Sequence, residues 1–225
     1  MDKVKEHFEN EAGVFDGIIL KLIPFYPVMI KALVAAFPYP RTKAFSVIDL
    51  GCGTGTMAKI IKEEFPRSRV TCLDLARNMI DAARVKLKAY PETRYILHDL
   101  RNFLFDQKYD AVVSSLALHH LTHTEKKIFM KKIYKALKPG GLFYNADVVL
   151  GPDAHLKKLY ISKWIDFMKK SVPLSEIQGK WLVKYRKEDI PAPLMDQMEW
   201  LASAGFRKRE VIWKYYNYAL YGGRK

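Results

Sequence analysis

Cysteine is almost missing from these 225 residues: Cys52 and Cys72 are the only two, and no Cys-x-x-Cys occurs. A disulfide-stapled scaffold is therefore excluded, and a reducing, cytoplasmic setting is the expectation. Glycine and proline are sparse, at 12 and 11 residues, which excludes a collagen-like chain. Residues 1–13 carry charges throughout and lack the apolar centre of a signal peptide. No long apolar run is present either. Residues 18–37 come nearest, but Lys21, Pro24, Pro27 and Lys31 interrupt them, so no membrane span is expected. Acidic residues are scarce: 24 against 38 lysines and arginines, a net charge of +14. That imbalance bears on partners rather than fold, and suits a polyanion, an anionic membrane surface, an acidic small molecule or a solvated basic surface.

What remains is ordinary globular material, 49% hydrophobic and 28% charged, long enough to bury a substantial core. Strand-like and helix-like segments alternate from residue 44 onward. Strands are expected at 44–50, 69–74, 94–98, 110–115 and 142–149, with helices at 54–65, 77–89 and 124–137. Such alternation implies a parallel sheet covered on both faces by helices. Upstream, a polar helix over 3–16 and an apolar one over 28–37 form a cap. Downstream come a helix over 154–170, a polar, proline-flanked stretch over 171–193, a helix over 194–204, and two strands, 206–213 and 215–221, joined by Lys214 alone. That short link predicts a tight hairpin with one antiparallel strand. The expected organisation is one domain: a helical cap (1–40), a core (41–150), an insertion or lid (151–193) and a C-terminal helix with hairpin (194–225).

Asp49-Leu50-Gly51-Cys52-Gly53-Thr54-Gly55 follows the first core strand and precedes a helix. Glycines there allow a tight turn and close approach of backbone to a ligand. Asp74, ending the next strand 19 residues after Gly55, can accept hydrogen bonds from ribose hydroxyls. The spacing is Gly-x-Gly-x-Gly; the third glycine slot of the dinucleotide fingerprint is Thr56, so no pyrophosphate is called for. Asp49 can hold a cationic amino group or buttress the loop.

This loop resembles motif I of class I S-adenosylmethionine-dependent methyltransferases. The resemblance spans residues 44–149, in order: Cys72 to Ile80 resembles the second-strand acid and the following helix, His98-Asp99-Leu100 the third-strand acid, and Lys138-Pro139-Gly140-Gly141 the turn before the fifth strand. It implies a doubly wound, seven-stranded, mostly parallel α/β sheet of Rossmann-like type. It also implies S-adenosyl-L-methionine as cofactor and S-adenosyl-L-homocysteine as product. Carried over, Gly51, Cys52, Gly53 and Gly55 form the cofactor loop, and Asp74 binds ribose. Leu75 and Met79 line the adenine, Asp99 binds its amino group, and Leu100 belongs to the cofactor site. Met79 is also compatible with plain helix core.

The flanks resemble carboxy-S-adenosylmethionine synthases, enzymes of tRNA wobble-uridine modification. Ile23-Pro24-Phe25-Tyr26 matches their cap, whose tyrosine touches the cofactor, and Ser115 stands where that family has Asn. The family's arginine for the extra carboxylate is replaced by Trp200, and no arginine lies between Lys187 and Ala204. An indole cannot replace a guanidinium fork. Transfer of a methyl group from ordinary S-adenosylmethionine to a small-molecule acceptor is therefore the first expectation, and the synthase or a tRNA methyltransferase is the alternative.

The catalytic candidates are His119, His120, His155 and Tyr160, with His7 joining them if the N-terminal helix closes as a lid. For His119 and His120 the competing reading is structural hydrogen bonding. His119, His120 and His123 lack the spacing of a metal site, and no metal is expected. Basic residues of 157–187 interleave with Trp164, Trp181 and Tyr185. Those rings suit base stacking, a hydrophobic substrate pocket, or the face of a homodimer.

Overall fold

The structure is a computed structural model that describes residues 2–225, with side chains from Val4 onward; Met1, the start of the expected cap, lies outside them. The elements are α1 (Asp2–Glu11), α2 (Phe15–Leu22), α3 (Tyr26–Ala35), β1 (Ser46–Leu50), α4 (Thr56–Glu64), β2 (Arg69–Asp74), α5 (Arg77–Lys86), β3 (Arg94–Leu97) and β4 (Tyr109–Ser115). They continue with α6 (His123–Ala136), β5 (Leu137–Val148), α7 (Ala154–Met168), α8 (Leu174–Glu176), α9 (Leu182–Glu188), α10 (Leu194–Ala204), β6 (Arg207–Tyr215) and β7 (Tyr218–Arg224). A 3₁₀ turn over Leu118–His120 follows β4, and a π turn over Ile177–Trp181 joins α8 to α9.

The seven strands form one sheet in the order β3-β2-β1-β4-β5-β7-β6. Only the β5–β7 and β6–β7 pairings are antiparallel. The sheet and its one reversed strand are those expected from the alternation. β1 is buried along its whole length and β4 over most of it, as central parallel strands must be. The strand order reverses between β1 and β4, and at such a switch point a crevice opens beyond the carboxyl ends of the strands.

Several local boundaries differ from expectation. The helix expected over 3–16 stops at Glu11, and a second starts at Phe15. The helix expected from Thr54 starts at Thr56, because Gly51, Gly53 and Gly55 all take left-handed backbone, with φ of 71°, 52° and 81°. Lys138–Gly141 is not a free turn but part of β5, whose ladder restarts across a bulge, Leu137 facing Tyr109 and Leu142 facing Ala111. In the hairpin, Lys214 belongs to β6 and the turn is Tyr216-Asn217, with Tyr216 at φ 45°. Two register shifts in β6 absorb the extra residues. The stretch over 171–193 is helical in pieces, with Ile177 and Trp181 buried.

The cap is anchored to the core by polar contacts. Asp16 on α2 accepts hydrogen bonds from the Thr54 hydroxyl at 2.6 Å and from Lys86 on α5 at 2.6 Å. The Trp164 indole donates to the Leu22 carbonyl at 2.7 Å, fixing α7 against the end of α2. Helices α2 and α3 bend 97° apart, and no single helix among the described residues is long and apolar enough to cross a membrane.

Candidate functional site

Two adjoining cavities occupy the crevice. The first, with about 740 Å³ of open space, is built on the glycine loop. Gly51 N and Cys52 N both donate to the Leu73 carbonyl, at 2.8 and 2.9 Å, which pins the loop to β2. A Cβ at Gly51 would stand 2.3 Å from the Ala117 Cβ, so only glycine fits there. Gly53 N donates to Asp74 Oδ2 at 2.8 Å and Ala76 N to Asp74 Oδ1 at 2.9 Å. The Asp74 carboxylate thus organises the loop while its free lone pairs face the cavity.

Tyr26, Asp49, Gly51, Cys52, Gly53, Asp74, Leu75, Met79, Leu100 and Ser115, ten of the twelve expected cofactor residues, line this cavity. Two do not. Gly55 caps α4 and packs on Ala83 and Leu87 of α5. The Asp99 carboxylate turns to Arg101, accepting from Nε at 2.9 Å and from Nη2 at 2.6 Å. Asp49 is the electrostatic centre. It is 1% exposed, and neither carboxylate oxygen has a hydrogen-bond partner. Burial, reinforced by the Asp74 charge, pushes its carboxyl up to about 8. Burial also raises the Tyr26 phenol, with Asp49 adding to the shift.

The second cavity, of about 800 Å³, shares Phe8, Phe15, Ile19, Leu116 and His120 with the first. Leu116, in this common wall, holds left-handed backbone at φ 52°, a conformation costly for a branched side chain. The far walls are Trp164, Trp181, Tyr185 and Tyr218. Trp164 and Trp181 are buried and Tyr185 half-buried, and the three rings line an aromatic chamber, the hydrophobic pocket that was one of the expected uses of these rings.

One polar corner interrupts that chamber. His119 Nδ1 lies 2.5 Å from Asp147 Oδ1, and His119 Nε2 lies 3.6 Å from Asp189 Oδ1. His120 Nδ1 meets the Glu188 carbonyl at 3.1 Å, and its Nε2 is buried without a partner. Burial works against a charge on His119, but Asp147 and Asp189 outweigh it and raise its pKa. Burial and the neighbouring His119 depress His120. Burial lifts the Asp189 carboxyl to about 6.

Of the four catalytic candidates, His119 and His120 therefore reach the chamber. His155 is exposed on α7, and the Tyr160 hydroxyl is held by Lys214 at 3.0 Å outside both cavities. His123 stands apart from His119 and His120, since its ring packs by Trp200 and Nε2 meets the Pro191 carbonyl. Trp200 itself lies away from both cavities, beneath Lys127. Sequence reading missed Asp147, Glu188 and Asp189. The last two sit in a polar stretch with no periodic signal, and only the fold brings them to His119.

Helix α1 covers both cavities, with Val4 and Phe8 pointing inward. Its Glu9 carboxylate accepts from Arg77 N and Asn78 N, each at 2.7 Å, at the amino end of α5. His7 lies between Glu11 (2.8 Å) and Glu188 (2.7 Å), and Lys184 also holds Glu11 at 2.7 Å. Burial opposes charge on His7, but those two carboxylates raise its pKa. The lid expected if this helix closed is thus closed here.

The family described as "Methyltransferase domain" matches residues 47–141. Residues 47–141 are a methyltransferase domain. That stretch runs from β1 to the bulge of β5 and contains the glycine loop, Asp74 and both histidines of the chamber. Beyond the methyltransferase domain, similarity extends over the flanks. The chain is 25% identical to the carboxy-S-adenosyl-L-methionine synthase of Nautilia profundicola, covering 98% of this chain and 94% of that protein. It is 26% identical to the one from Wolinella succinogenes, covering 100% and 96%. Among solved structures, the DhpI–SAM–HEP complex superposes with a TM-score of 0.68 at 16% identity, covering 98% of this chain and 95% of that one. That likeness shows that the cap, the methyltransferase domain and the C-terminal hairpin share a fold with it.

Proposed function

We propose that the chain transfers a methyl group from S-adenosyl-L-methionine to a small, largely apolar acceptor held in the aromatic chamber. The observation that carries this reading is the shared wall of the two cavities. One cavity is built on the glycine loop with acids, and the other is greasy and aromatic; they meet at Leu116 and His120. The residues of the first cavity fit the cofactor. Asp49 is a buried carboxylate without a partner, suited to an ammonium, and Gly51 is a cradle that a Cβ would fill. When bound, S-adenosylmethionine supplies a methyl group on a sulfonium, an electrophile that leaves a neutral thioether behind.

The chain's own contribution is alignment and exclusion of water. The Asp74 carboxylate would hold the ribose and Asp49 the ammonium of the methionine end, while Leu75, Met79 and Leu100 would flank the adenine. Phe8, Phe15 and Ile19 descend from the cap to dry the junction. In this reading the chain works as one domain, residues 1–40 and 151–193 contributing lid and acceptor walls to the two cavities.

Whole-length similarity to carboxy-S-adenosylmethionine synthases favours a second reading. Its carboxylate needs a cation beside the transferred group. Among the described residues no arginine lines either cavity, and the one lysine that does, Lys184, is committed to Glu11. Methyl transfer is therefore preferred, and a tRNA partner follows only the second reading. Mass spectrometry of the ligand that co-purifies, followed by calorimetric titration with S-adenosylhomocysteine, decides. Binding of S-adenosylhomocysteine with no carboxylated analogue supports methyl transfer, and recovery of the carboxylated cofactor overturns it.

A further inference from the structure

The polar corner of the chamber has the layout of a metal site. His119 Nε2, His120 and Asp189 Oδ1 offer three donor atoms within 4.8 Å of one another. The Asp189 oxygen lies 3.6 Å from His119 Nε2 and 3.5 Å from His120 Nδ1. Donors around an ion with bonds near 2.0–2.1 Å stand about 3.3 Å apart in tetrahedral geometry, so these need only small shifts to close on one.

A second observation points the same way. His119 Nδ1 is taken by Asp147 at 2.5 Å, in the carboxylate–histidine arrangement that fixes the tautomer of a metal-binding imidazole. With its proton on Nδ1, His119 aims the Nε2 lone pair at the Asp189 carboxylate. Two acceptors then face each other across 3.6 Å, and something positive belongs between them. His120 Nδ1, which stands 3.5 Å from Asp189 Oδ1, can serve as the third donor by giving up its bond to the Glu188 carbonyl.

Charge is consistent with this placement. Across the mouth, His7, Lys184 and Lys180, the last 3.5 Å from Glu11, face Glu11 and Glu188. That leaves Asp147 and Asp189 against Lys126, whose ammonium is tied to the Leu121 and Ile190 carbonyls. Within the corner itself, with His119 neutral, the carboxylates outnumber the ammonium by one. A divalent ion more than cancels that excess, leaving a single positive charge for an anionic oxygen of the acceptor.

We propose that His119, His120 and Asp189 bind one divalent transition-metal ion in the acceptor chamber, with its open positions facing the acceptor. Two imidazoles and a single carboxylate suit zinc, iron(II), cobalt or nickel, and disfavour magnesium or calcium, which need a shell of oxygens. Binding of the ion rests on geometry alone; its service to the acceptor's oxygen rests on the methyl-transfer reading.

The test uses the full chain without a histidine tag, stripped with a chelator and titrated with Zn²⁺ by calorimetry and with Co²⁺ by visible absorption. S-adenosylhomocysteine titration runs beside it. The expected result is one ion per chain and a tetrahedral or five-coordinate Co²⁺ spectrum. Asp189→Asn should weaken Zn²⁺ binding by at least about 100-fold, and Asp147→Asn by roughly 10–100-fold, the scale for a partner behind a ligand. Both variants should retain S-adenosylhomocysteine binding, which shows that they fold. Absence of stoichiometric binding would overturn the proposal and assign the gap to a proton on His119. So would binding that Asp189→Asn leaves unchanged. Failure of S-adenosylhomocysteine to bind the unaltered chain, with Zn²⁺ bound, would sink the methyl-transfer reading instead.

Discussion

His7 on α1 and Glu188 on α9 are 181 residues apart in sequence, and their side chains meet at 2.7 Å across the mouth of the aromatic chamber. The contact explains how a short helix with a polar sequence stays on the surface of the fold. Isolated helices of this length are marginal in water, so tertiary contacts must hold α1 down. Glu9 fastens one side to the start of α5, and His7 with Glu11 fastens the other to α9. A lid held at two discrete points can open at one without unfolding the core.

His7→Ala should release the α9 side of that lid. The lost bonds are charge-assisted and mostly buried, on the scale of roughly 1.5–3 kcal/mol for hydrogen bonds to charged groups. Amide exchange of α1 should accelerate by at least about tenfold, while β1 and β4 exchange as before. The same variant should release S-adenosylhomocysteine faster in stopped-flow measurements. Unchanged exchange in α1 would mean that Phe8 and Val4, not the latch, hold the helix.

Asp74→Ala should weaken S-adenosylhomocysteine binding by roughly 1–3 kcal/mol, the scale of losing hydrogen bonds to a charged group. The Asp74 carboxylate also holds Gly53 N and Ala76 N, so the loop should loosen as well. Calorimetry gives the affinity, and exchange of the Gly53 amide separates the loop effect from the ribose contact. Full affinity in this variant would place the ribose elsewhere. Tyr26→Phe, which keeps the buried ring, should weaken binding only modestly; no change at all would detach this residue of the cap from cofactor capture.

Gly51→Ala should abolish cofactor binding more completely than either. The added methyl would stand 2.3 Å from the Ala117 Cβ, and the residue would have to hold φ 71°. Both faults act on the loop that Leu73 pins. Retained affinity, measured by calorimetry on a variant shown to be folded by circular dichroism, would mean that the loop has another conformation in solution.

The parts of this molecule that could be read from sequence are those governed by local rules. A buried apolar strand running into three glycines, and an acid closing the next strand, are set by backbone sterics and hydrogen bonding over about ten residues each. Asp49, Gly51 and Asp74 accordingly line one cavity. The acceptor side follows no such rule. Asp147 lies on β5 and Asp189 follows α9, yet both converge on His119. Trp164 and Trp181, interleaved with lysines, read equally well as a surface until the fold turns them inward. Asp99 occupies the expected loop, but Arg101, two residues on, captures its carboxylate.

The raised pKa of Asp49 leads to a measurable pH dependence. Burial, then the Asp74 charge, lifts its carboxyl to about 8 from an ordinary value of 3.8. Between those values the folded, ligand-free chain binds a proton that the unfolded chain has lost, so its stability falls as pH rises through that window. Asp49→Asn should flatten this part of the profile, seen as a smaller drop in melting temperature between pH 6 and about 9. A cationic ligand reverses the preference. The ammonium of S-adenosylhomocysteine placed beside Asp49 favours the carboxylate, so binding at pH 7 should release up to about one proton. Affinity should therefore rise toward pH 8. Calorimetry in buffers of different ionisation enthalpy reads the proton directly. Binding with no proton release at pH 7, or release that persists in Asp49→Asn, would remove Asp49 as the partner of the cation.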